Sequence, residues 1–315
     1  MLPIQYGGTL FRPGGTTKLG YGHLRMAIFK LSVITDELTQ DLGRALEVAA
    51  DEFGFQYVEL REMWGKNIMN LDSKEIDQAR RLLEKHRLRV SSIGSPVFKV
   101  DWPEAPKSKF SPKRDQFSAS FTYEQQGELL ERALELARVF NVDRVRIFDF
   151  WRLDDPKPYR EAMDERLRQA AAIAGRRQTT LLLENEHACN TATGQEAART
   201  LRAVKSPYFK LNWDPGNAAA AGETPYPNGY ALLPKDRIGY MHCKDVVRNA
   251  EGKSSWTAMG RGIIDWAGQF GALAKDGYRG TISLETHWRG AGTPEESSRQ
   301  SWAGMKSLLQ RAGVL

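Results

Sequence analysis

Cysteine is nearly absent from this chain: Cys189 and Cys243 are the only two in 315 residues. That is too few for a disulfide framework, which points to a reducing, cytoplasmic setting. Long apolar runs are missing as well. No stretch approaches the roughly 18 to 20 consecutive apolar residues that a bilayer span requires, so no membrane partner is expected. Neither sign of charge is in large excess, since 45 basic and 39 acidic side chains leave a net charge of +6. The basic pairs Arg80-Arg81, Lys113-Arg114 and Arg176-Arg177 are scattered among acidic neighbours, so no polyanion track and no nucleic-acid partner is expected. At 41% hydrophobic and 27% charged residues, the chain falls among ordinary soluble globular proteins, which excludes disorder, collagen and coiled coil. No composition shift, linker or internal repeat marks a second domain.

The first 25 residues hold six glycines and no apolar periodicity, and no apolar run follows their basic residues as a secretory signal would need. Residues 1–25 therefore read as a flexible leader and residues 26–315 as the folded domain. From Met26 onward, short β-branched or aromatic runs alternate with longer segments of 3.6-residue periodicity, the signature of βα units on a parallel sheet. Eight strands are predicted: Phe29–Ile34, Tyr57–Arg61, Val90–Ile93, Arg144–Phe150, Thr180–Glu184, Phe209–Asp214, Ile238–His242 and Thr281–Glu285. Helix starts are signalled by Asp72 three residues before Glu75, by Thr122 three before Gln125, and by Thr293 ahead of Pro294 and Glu296. Leu130, Ala133, Leu134 and Ala137 fall at i, i+3, i+4 and i+7 and present one inward stripe. Eight such units close most economically into a single (β/α)8 TIM barrel, with an open doubly wound sheet as the alternative. An extra loop follows the third strand, from about Lys99 to Ser120, with three prolines, five basic residues and Trp102. It is expected to be either a lid over the catalytic face or a plain surface loop.

The carboxyl ends of the last four strands carry Glu184 in LLLENEH, Asp214 in LNWDPGN, His242 in YMHCKD and Glu285 in SLETHW. In a barrel those ends meet on one face. Taken singly, each acid reads as readily as a helix cap or an ion-pair partner. Taken together, three carboxylates in one barrel mouth repel unless a cation neutralises them. Oxygen ligands with one imidazole suit Mn²⁺, Mg²⁺, Co²⁺ or Zn²⁺, and the lack of thiolate argues against a closed structural zinc. Residues two apart share a strand face, so Lys244 follows His242, and His287 follows Glu285, into the same pocket if the strands persist. The plainer alternatives are an ion pair for Lys244 and a backbone-bonded loop histidine for His287 and His187, the direction of His187 being open. Trp64, Trp151, Trp213, Trp256 and Trp288 lie at or after strand ends, where their faces could stack on a sugar or simply pack. Gly260-Arg261-Gly262 is the one local candidate for a phosphate loop; it reads better as a tight turn before a helix near Asp265, which favours an unphosphorylated polyol or keto-sugar.

In order along the chain, Glu184-Asn185, Asp214-Pro215-Gly216-Asn217, His242-Cys243-Lys244-Asp245, the Gly260–Asp265 segment GRGIID and the run from Asp276-Gly277-Tyr278-Arg279-Gly280 to Leu284-Glu285 resemble the sugar phosphate isomerase/epimerase family with the xylose isomerase-like barrel. The resemblance extends from about residue 27 to the end. It implies one divalent metal ion, manganese foremost, held by Glu184, Asp214, His242 and Glu285. It further implies that Glu184 and Glu285 move the proton, one removing hydrogen from the carbon beside a carbonyl and the other returning a proton from the opposite face through an enediolate. Arg248, six residues after the metal histidine, matches the group's substrate-contacting arginine, and His187, Lys244 and His287 join it as expected substrate contacts. One departure is Asn217, where ketose epimerases of the group carry a histidine; it weakens the case for free ketoses and leaves the metal site whole. Related barrels act as inosose dehydratases or isomerases and as lyases on 3-keto-glycosides, so a lyase is the alternative to an isomerase or epimerase. An endonuclease IV-like nuclease holds three zinc ions and needs more histidines than His23, His86, His187, His242 and His287 supply. A non-catalytic sugar-binding barrel would be expected to have broken the paired glutamates, which are whole here. The expected partner is a small sugar or polyol, with homo-oligomerisation left open.

Overall fold

The computed structural model describes residues 28–111 and 119–315; the expected leader with His23, and Lys113 and Arg114 of the extra loop, lie outside them. Eight parallel strands form a ring: β1 (Lys30–Val33), β2 (Tyr57–Leu60), β3 (Arg89–Ile93), β4 (Arg144–Ile147), β5 (Thr180–Glu184), β6 (Phe209–Trp213), β7 (Ile238–Cys243) and β8 (Thr281–Leu284). They pair in the order β1-β8-β7-β6-β5-β4-β3-β2, and a parallel bridge between Ile34 and Glu59 brings the two ends together. The expected (β/α)8 TIM barrel is therefore the fold. Several strands end short of their expected limits, most of all β4, predicted to reach Phe150. The ladder partner changes there: the amides of Phe148, Phe150 and Trp151 donate to the carbonyls of Val97, Phe98 and Val100, so the chain leaves the barrel to run beside the extra loop.

The helices are α1 (Leu42–Glu47), α2 (Ser73–Lys85), α3 (Gln126–Val139), α4 (Arg160–Arg176), α5 (Gly194–Ala203), α6 (Pro215–Ala220), the single turn α7 (Tyr230–Leu232), α8 (Trp266–Lys275) and α9 (Pro294–Arg311). Asp72 and Glu75 form a reciprocal capping box on α2, and the Thr293 hydroxyl accepts from the Glu296 amide with Pro294 in the first helical position of α9. The stripe Leu130, Ala133, Leu134 and Ala137 of α3 is buried. Thr122, in contrast, does not start α3. Its hydroxyl bonds Glu124 and its amide donates to Gln125 Oε1 at 2.9 Å, so the helix is delayed to Gln126. That residue is fully buried; its Oε1 accepts from the Phe98 amide at 2.7 Å and its Nε2 donates to the Thr122 carbonyl at 2.9 Å. One side chain thereby fastens both ends of the extra loop to the barrel.

Register sets the layers inside the ring. Ser283 lies opposite His242, and Asn212 lies opposite Glu184 and Tyr240. Beneath the mouth the interior is polar: Ser91 Oγ sits 2.8 Å from both Ser32 Oγ and Tyr240 Oη. Apolar packing lies outside, between strands and helices, as where Trp213 turns away from the axis and donates to Gln269 of α8 at 3.0 Å.

Candidate active site

Glu184 closes β5, Asp214 follows β6 as the N-cap of α6, His242 is the fifth residue of β7, and Glu285 follows β8. Alternation along each strand turns all four side chains inward, and the ring brings them together: all are buried, and one ligand atom from each lies within 4.8 Å of the others. His242 Nδ1 is 3.3 Å from Glu285 Oε2, 3.6 Å from Glu184 Oε1 and 3.9 Å from Asp214 Oδ2. Its other nitrogen, Nε2, stands 3.0 Å from Glu59 Oε2. A carboxylate only accepts, so Nε2 carries a proton toward Glu59, and Nδ1 is the nitrogen that faces the three acids.

These residues fit a divalent cation. Among the described residues, buried His242 Nδ1 and Glu184 Oε2 have no hydrogen-bond partner. Asp36, Glu37 and Glu285 pair with Arg61, Glu37 also with Arg289, Glu184 with Arg146, and Asp214 and Glu285 with Lys244, while Glu59 pairs with His242. Three carboxylates around one imidazole nitrogen gather negative charge that a divalent ion would neutralise. The titration behaviour carries the same imprint. Burial disfavours a charged imidazole, but Glu59, Glu285 and Glu184 outweigh it and hold the His242 pKa well above its usual value. Burial pushes the Asp214 carboxyl up to about 6, with Lys244 opposing the rise and Glu285 and Glu184 adding to it. In Glu285, burial is overcome by Lys244, His287 and His242, which bring the carboxyl well below its ordinary range.

Of the expected substrate contacts, Lys244 is fully inside: its Nζ lies 2.8 Å from Asp214 Oδ2 and 2.5 Å from Glu285 Oε2, with the Trp256 ring centroid at 5.1 Å. His287 adopts a left-handed backbone, φ 50°, which turns its ring back over the cluster. Its Nδ1 bonds Glu37 Oε1 at 2.7 Å, and its Nε2 stands 3.8 Å from Glu285 Oε1. His187 pairs through Nδ1 with Glu186 Oε1 at 2.6 Å and reaches Asn217 Oδ1 at 3.2 Å. Trp256 packs edge-on against both histidines. Arg248 lies apart, exposed on the hairpin formed by Asp245–Arg248 and Ser254–Thr257, where it donates to the Ala219 carbonyl at 2.6 Å.

Several site residues escaped the sequence reading. Arg61 spans three acids, at 2.6 Å from Asp36, 2.7 Å from Glu37 and 2.8 Å from Glu285. Arg146 stands 3.3 Å from Glu184 Oε2. Asn217, which the sequence marked as a departure from the ketose epimerases, donates to Glu184 Oε1 and Asp214 Oδ2, both at 3.1 Å. Glu59 and Arg61 of the expected second strand and Arg146 of the fourth did carry a signal: a charged residue at an inward position of a buried parallel strand needs a partner at the axis. Glu37 comes from the short 3-10 helix Thr35–Glu37 after β1 and carried none.

The cluster floors a cavity of about 730 Å³. Arg61, Arg146, Glu184, Glu285 and His287 line its base, and its opposite wall comes from the extra loop and the segment leading into α3. The amides of Gly260 and Gly262 are engaged elsewhere, donating to Asp245 Oδ2 at 3.0 and 3.1 Å. That loop is a turn filled by the protein's own carboxylate.

The model of the xylose isomerase-like TIM barrel matches residues 47–308 of the chain. SgbU of Escherichia coli (strain K12), which carries the provisional name L-ribulose-5-phosphate 3-epimerase, is 26% identical over 198 residues, 61% of this chain and 68% of that protein. Among solved structures, the IOLI protein with a bound zinc atom superposes with a TM-score of 0.68 at 16% identity, covering 90% of this chain and 98% of that one. AsbF of Bacillus anthracis, provisionally named a 3-DHS dehydratase, gives 0.66 at 19% identity, over 89% and 98%. A fusion of such a barrel with a 4-hydroxyphenylpyruvate dioxygenase gives 0.66 at 19% identity; the match covers 90% of this chain and only 43% of the fusion. These structural likenesses, all below 25% identity, establish the fold alone.

Proposed function

Because the chain belongs to the xylose isomerase-like TIM-barrel family, we propose that it is a divalent-metal-dependent isomerase or epimerase. It would move a proton on the carbon beside the carbonyl of a small polyol or keto-sugar. The observation that carries the reading is that Glu184 and Glu285 both line the cavity and both lie close to His242 Nδ1, at 3.6 and 3.3 Å. Glu184, Asp214, His242 and Glu285 hold the ion, manganese first with magnesium, cobalt or zinc as alternatives. When bound, such an ion supplies polarisation of the carbonyl and hydroxyl oxygens beside the reacting carbon. One glutamate removes the proton from that carbon, and the other delivers a proton to the opposite face. Arg61 on Glu285 and Arg146 on Glu184 fix the directions of the two carboxylates. Lys244, His187 and His287 contact the substrate oxygens, and Arg248 stands further out on the same face.

Asn217 favours a second reading, a carbon–oxygen lyase or dehydratase. Its amide is committed to Glu184 and Asp214, so it offers no titrating group where the free-ketose enzymes of the family carry a histidine. Proton abstraction is common to both readings, and the outcome at the neighbouring carbon separates them. No helix among the described residues is long and apolar enough to cross a membrane, and the near-absence of cysteine supports a cytoplasmic location.

The test is metal analysis of the purified protein, then incubation with Mn²⁺ and a panel of ketoses, inososes and 3-keto-glycosides in D₂O. Deuterium at the carbon beside the carbonyl, with an epimer or isomer recovered, is the expected result; deuterium followed by loss of a group would establish the lyase. Glu285→Gln is expected to abolish turnover, and full activity in that variant would remove Glu285 from the mechanism. A protein that binds no divalent metal would sink the reading altogether.

A further inference from the structure

Glu37 is fully buried at the end of the short 3-10 helix after β1. Its main-chain carbonyl accepts from the Ser298 hydroxyl of α9 at 2.9 Å, and that hydroxyl lies 2.9 Å from the Thr286 hydroxyl just beyond β8. The residue is thus fixed between the ends of β1 and β8. Its carboxylate meets four donors. Oε1 lies 2.7 Å from both Arg61 Nη2 and His287 Nδ1, and Oε2 accepts from the His287 amide at 2.9 Å and from Arg289 Nη2 at 2.8 Å.

Two of these bonds go to one residue. By holding both the amide and Nδ1 of His287, Glu37 fixes the ring on a backbone of φ 50°, a conformation that residues other than glycine seldom adopt. It also assigns a ring proton. Two guanidiniums, which do not give up their protons, donate to the same carboxylate, so Glu37 is ionised and only accepts; Nδ1 is therefore the donor. In a neutral imidazole the other nitrogen then keeps its lone pair. That nitrogen, Nε2, stands 3.8 Å from Glu285 Oε1, on a side chain that lines the cavity.

We propose that Glu37 is a positioning residue: it sets His287 with its proton on Nδ1, so that Nε2 accepts a hydrogen bond from a substrate hydroxyl beside Glu285. This rests on the proposed sugar chemistry and adds the sense of one contact. The group bound at Nε2 is a hydroxyl, and a carbonyl or an ionised phosphate oxygen, which only accepts, is refused at that position. Glu37→Gln reverses the arrangement. A carboxamide has a single accepting atom, and the His287 amide and Arg289 can only donate, so the oxygen settles on their side while Arg61 keeps Asp36, 2.6 Å away. The new NH₂ then faces Nδ1, and the ring proton moves to Nε2.

Nuclear magnetic resonance of ¹⁵N-histidine-labelled, Mg²⁺-treated protein at pH 8 tests this, with the His287 signals identified by their loss in His287→Asn. The wild type is expected to show a protonated Nδ1 and an unprotonated Nε2, and Glu37→Gln the reverse. Saturating D-fructose or scyllo-inosose should move the wild-type Nε2 signal as a hydrogen bond to it forms. By calorimetry, affinity for the same two probes should fall about tenfold in His287→Asn, whose amide reaches only the Nδ1 position, and return to within about threefold of wild type in His287→Gln, whose amide reaches the Nε2 position. A proton on Nε2 in the wild type, an unchanged tautomer in folded Glu37→Gln, a probe that binds without moving the Nε2 signal, or equal losses in the two His287 variants would overturn the proposal. Should Glu37→Gln not fold, the wild-type spectrum and the His287 variants decide. Failure of both probes to bind would also overturn the hydroxyl contact, and the deuterium-exchange experiment then tells whether the proton-transfer reading falls with it.

Discussion

Replacing Lys244 by methionine separates two effects that share one side chain. The Lys244 ammonium bridges Asp214 and Glu285, at 2.8 and 2.5 Å, through the carboxylate oxygens that face His242 Nδ1. It therefore competes with a divalent ion for the same negative charge. At an effective dielectric near 20, unit charges 4 Å apart interact by about 4 kcal/mol, so an ammonium fixed that close to a divalent ion opposes it by about 8 kcal/mol. The ammonium can withdraw toward the Trp256 ring, 5.1 Å from its centroid, which relieves most of that repulsion. A residue of about 3 kcal/mol corresponds to roughly a hundredfold in Kd. Lys244→Met is thus expected to bind Mn²⁺ about a hundredfold more tightly, as read by calorimetry on metal-stripped protein at pH 8. The same substitution strips two buried carboxylates of their cation and should lower the stability of metal-free protein by about 3–5 kcal/mol in urea. Opposite signs in the two assays are the signature, because a merely structural lysine would give the second effect alone. An unchanged or weaker Mn²⁺ affinity would refute the competition.

Three further outcomes follow from the same geometry. Metal affinity should rise with pH through the window that begins near 6. Burial pushes the Asp214 carboxyl up to about 6 and the surrounding acids hold His242 well above its ordinary value; both would lose a proton to act as ligands, so affinity falls roughly tenfold per unit where His242 alone is protonated and roughly a hundredfold per unit below pH 6; a Kd for Mn²⁺ that is flat from pH 5 to 7 would contradict this. Glu59→Gln keeps the shape beside His242 Nε2 and loses the charge that fixes the imidazole, so Mn²⁺ affinity should fall by at least about tenfold, and an unchanged calorimetric Kd would show that Glu59 does not orient the ligand. Gln126→Ala removes two buried hydrogen bonds and strands the Phe98 amide; it should destabilise the fold by about 2–3 kcal/mol in urea, and a change below about 0.5 kcal/mol would mean that the extra loop is held by other contacts.

The floor of the site was legible in the sequence because topology does the collecting. In a ring of parallel strands the carboxyl end of every strand arrives at one place, so Glu184, Asp214, His242 and Glu285 could be grouped without knowing any distance. Parity carried the argument one step further, to Lys244, whereas beyond Asp245 the chain turns into a hairpin and strand alternation no longer fixes direction. The same parity, applied to Glu59, Arg61 and Arg146, would have found the inner partners of the four ligands, since a charge at an inward position of a buried strand has to be answered across the axis. The outer wall had no such rule to follow. From Lys99 to Ser120 the described residues form neither helix nor strand, and what places them is a set of particular contacts: Trp102 under Tyr123, Gln126 between Phe98 and Thr122, and the amides after β4. The division has a physical cause. Charged groups at fixed ring positions are encoded by periodicity, whereas the shape of an irregular segment depends on long-range packing. A sequence of this kind thus reveals the charged floor of its barrel before the wall above it, because only the floor follows from the period of the strands.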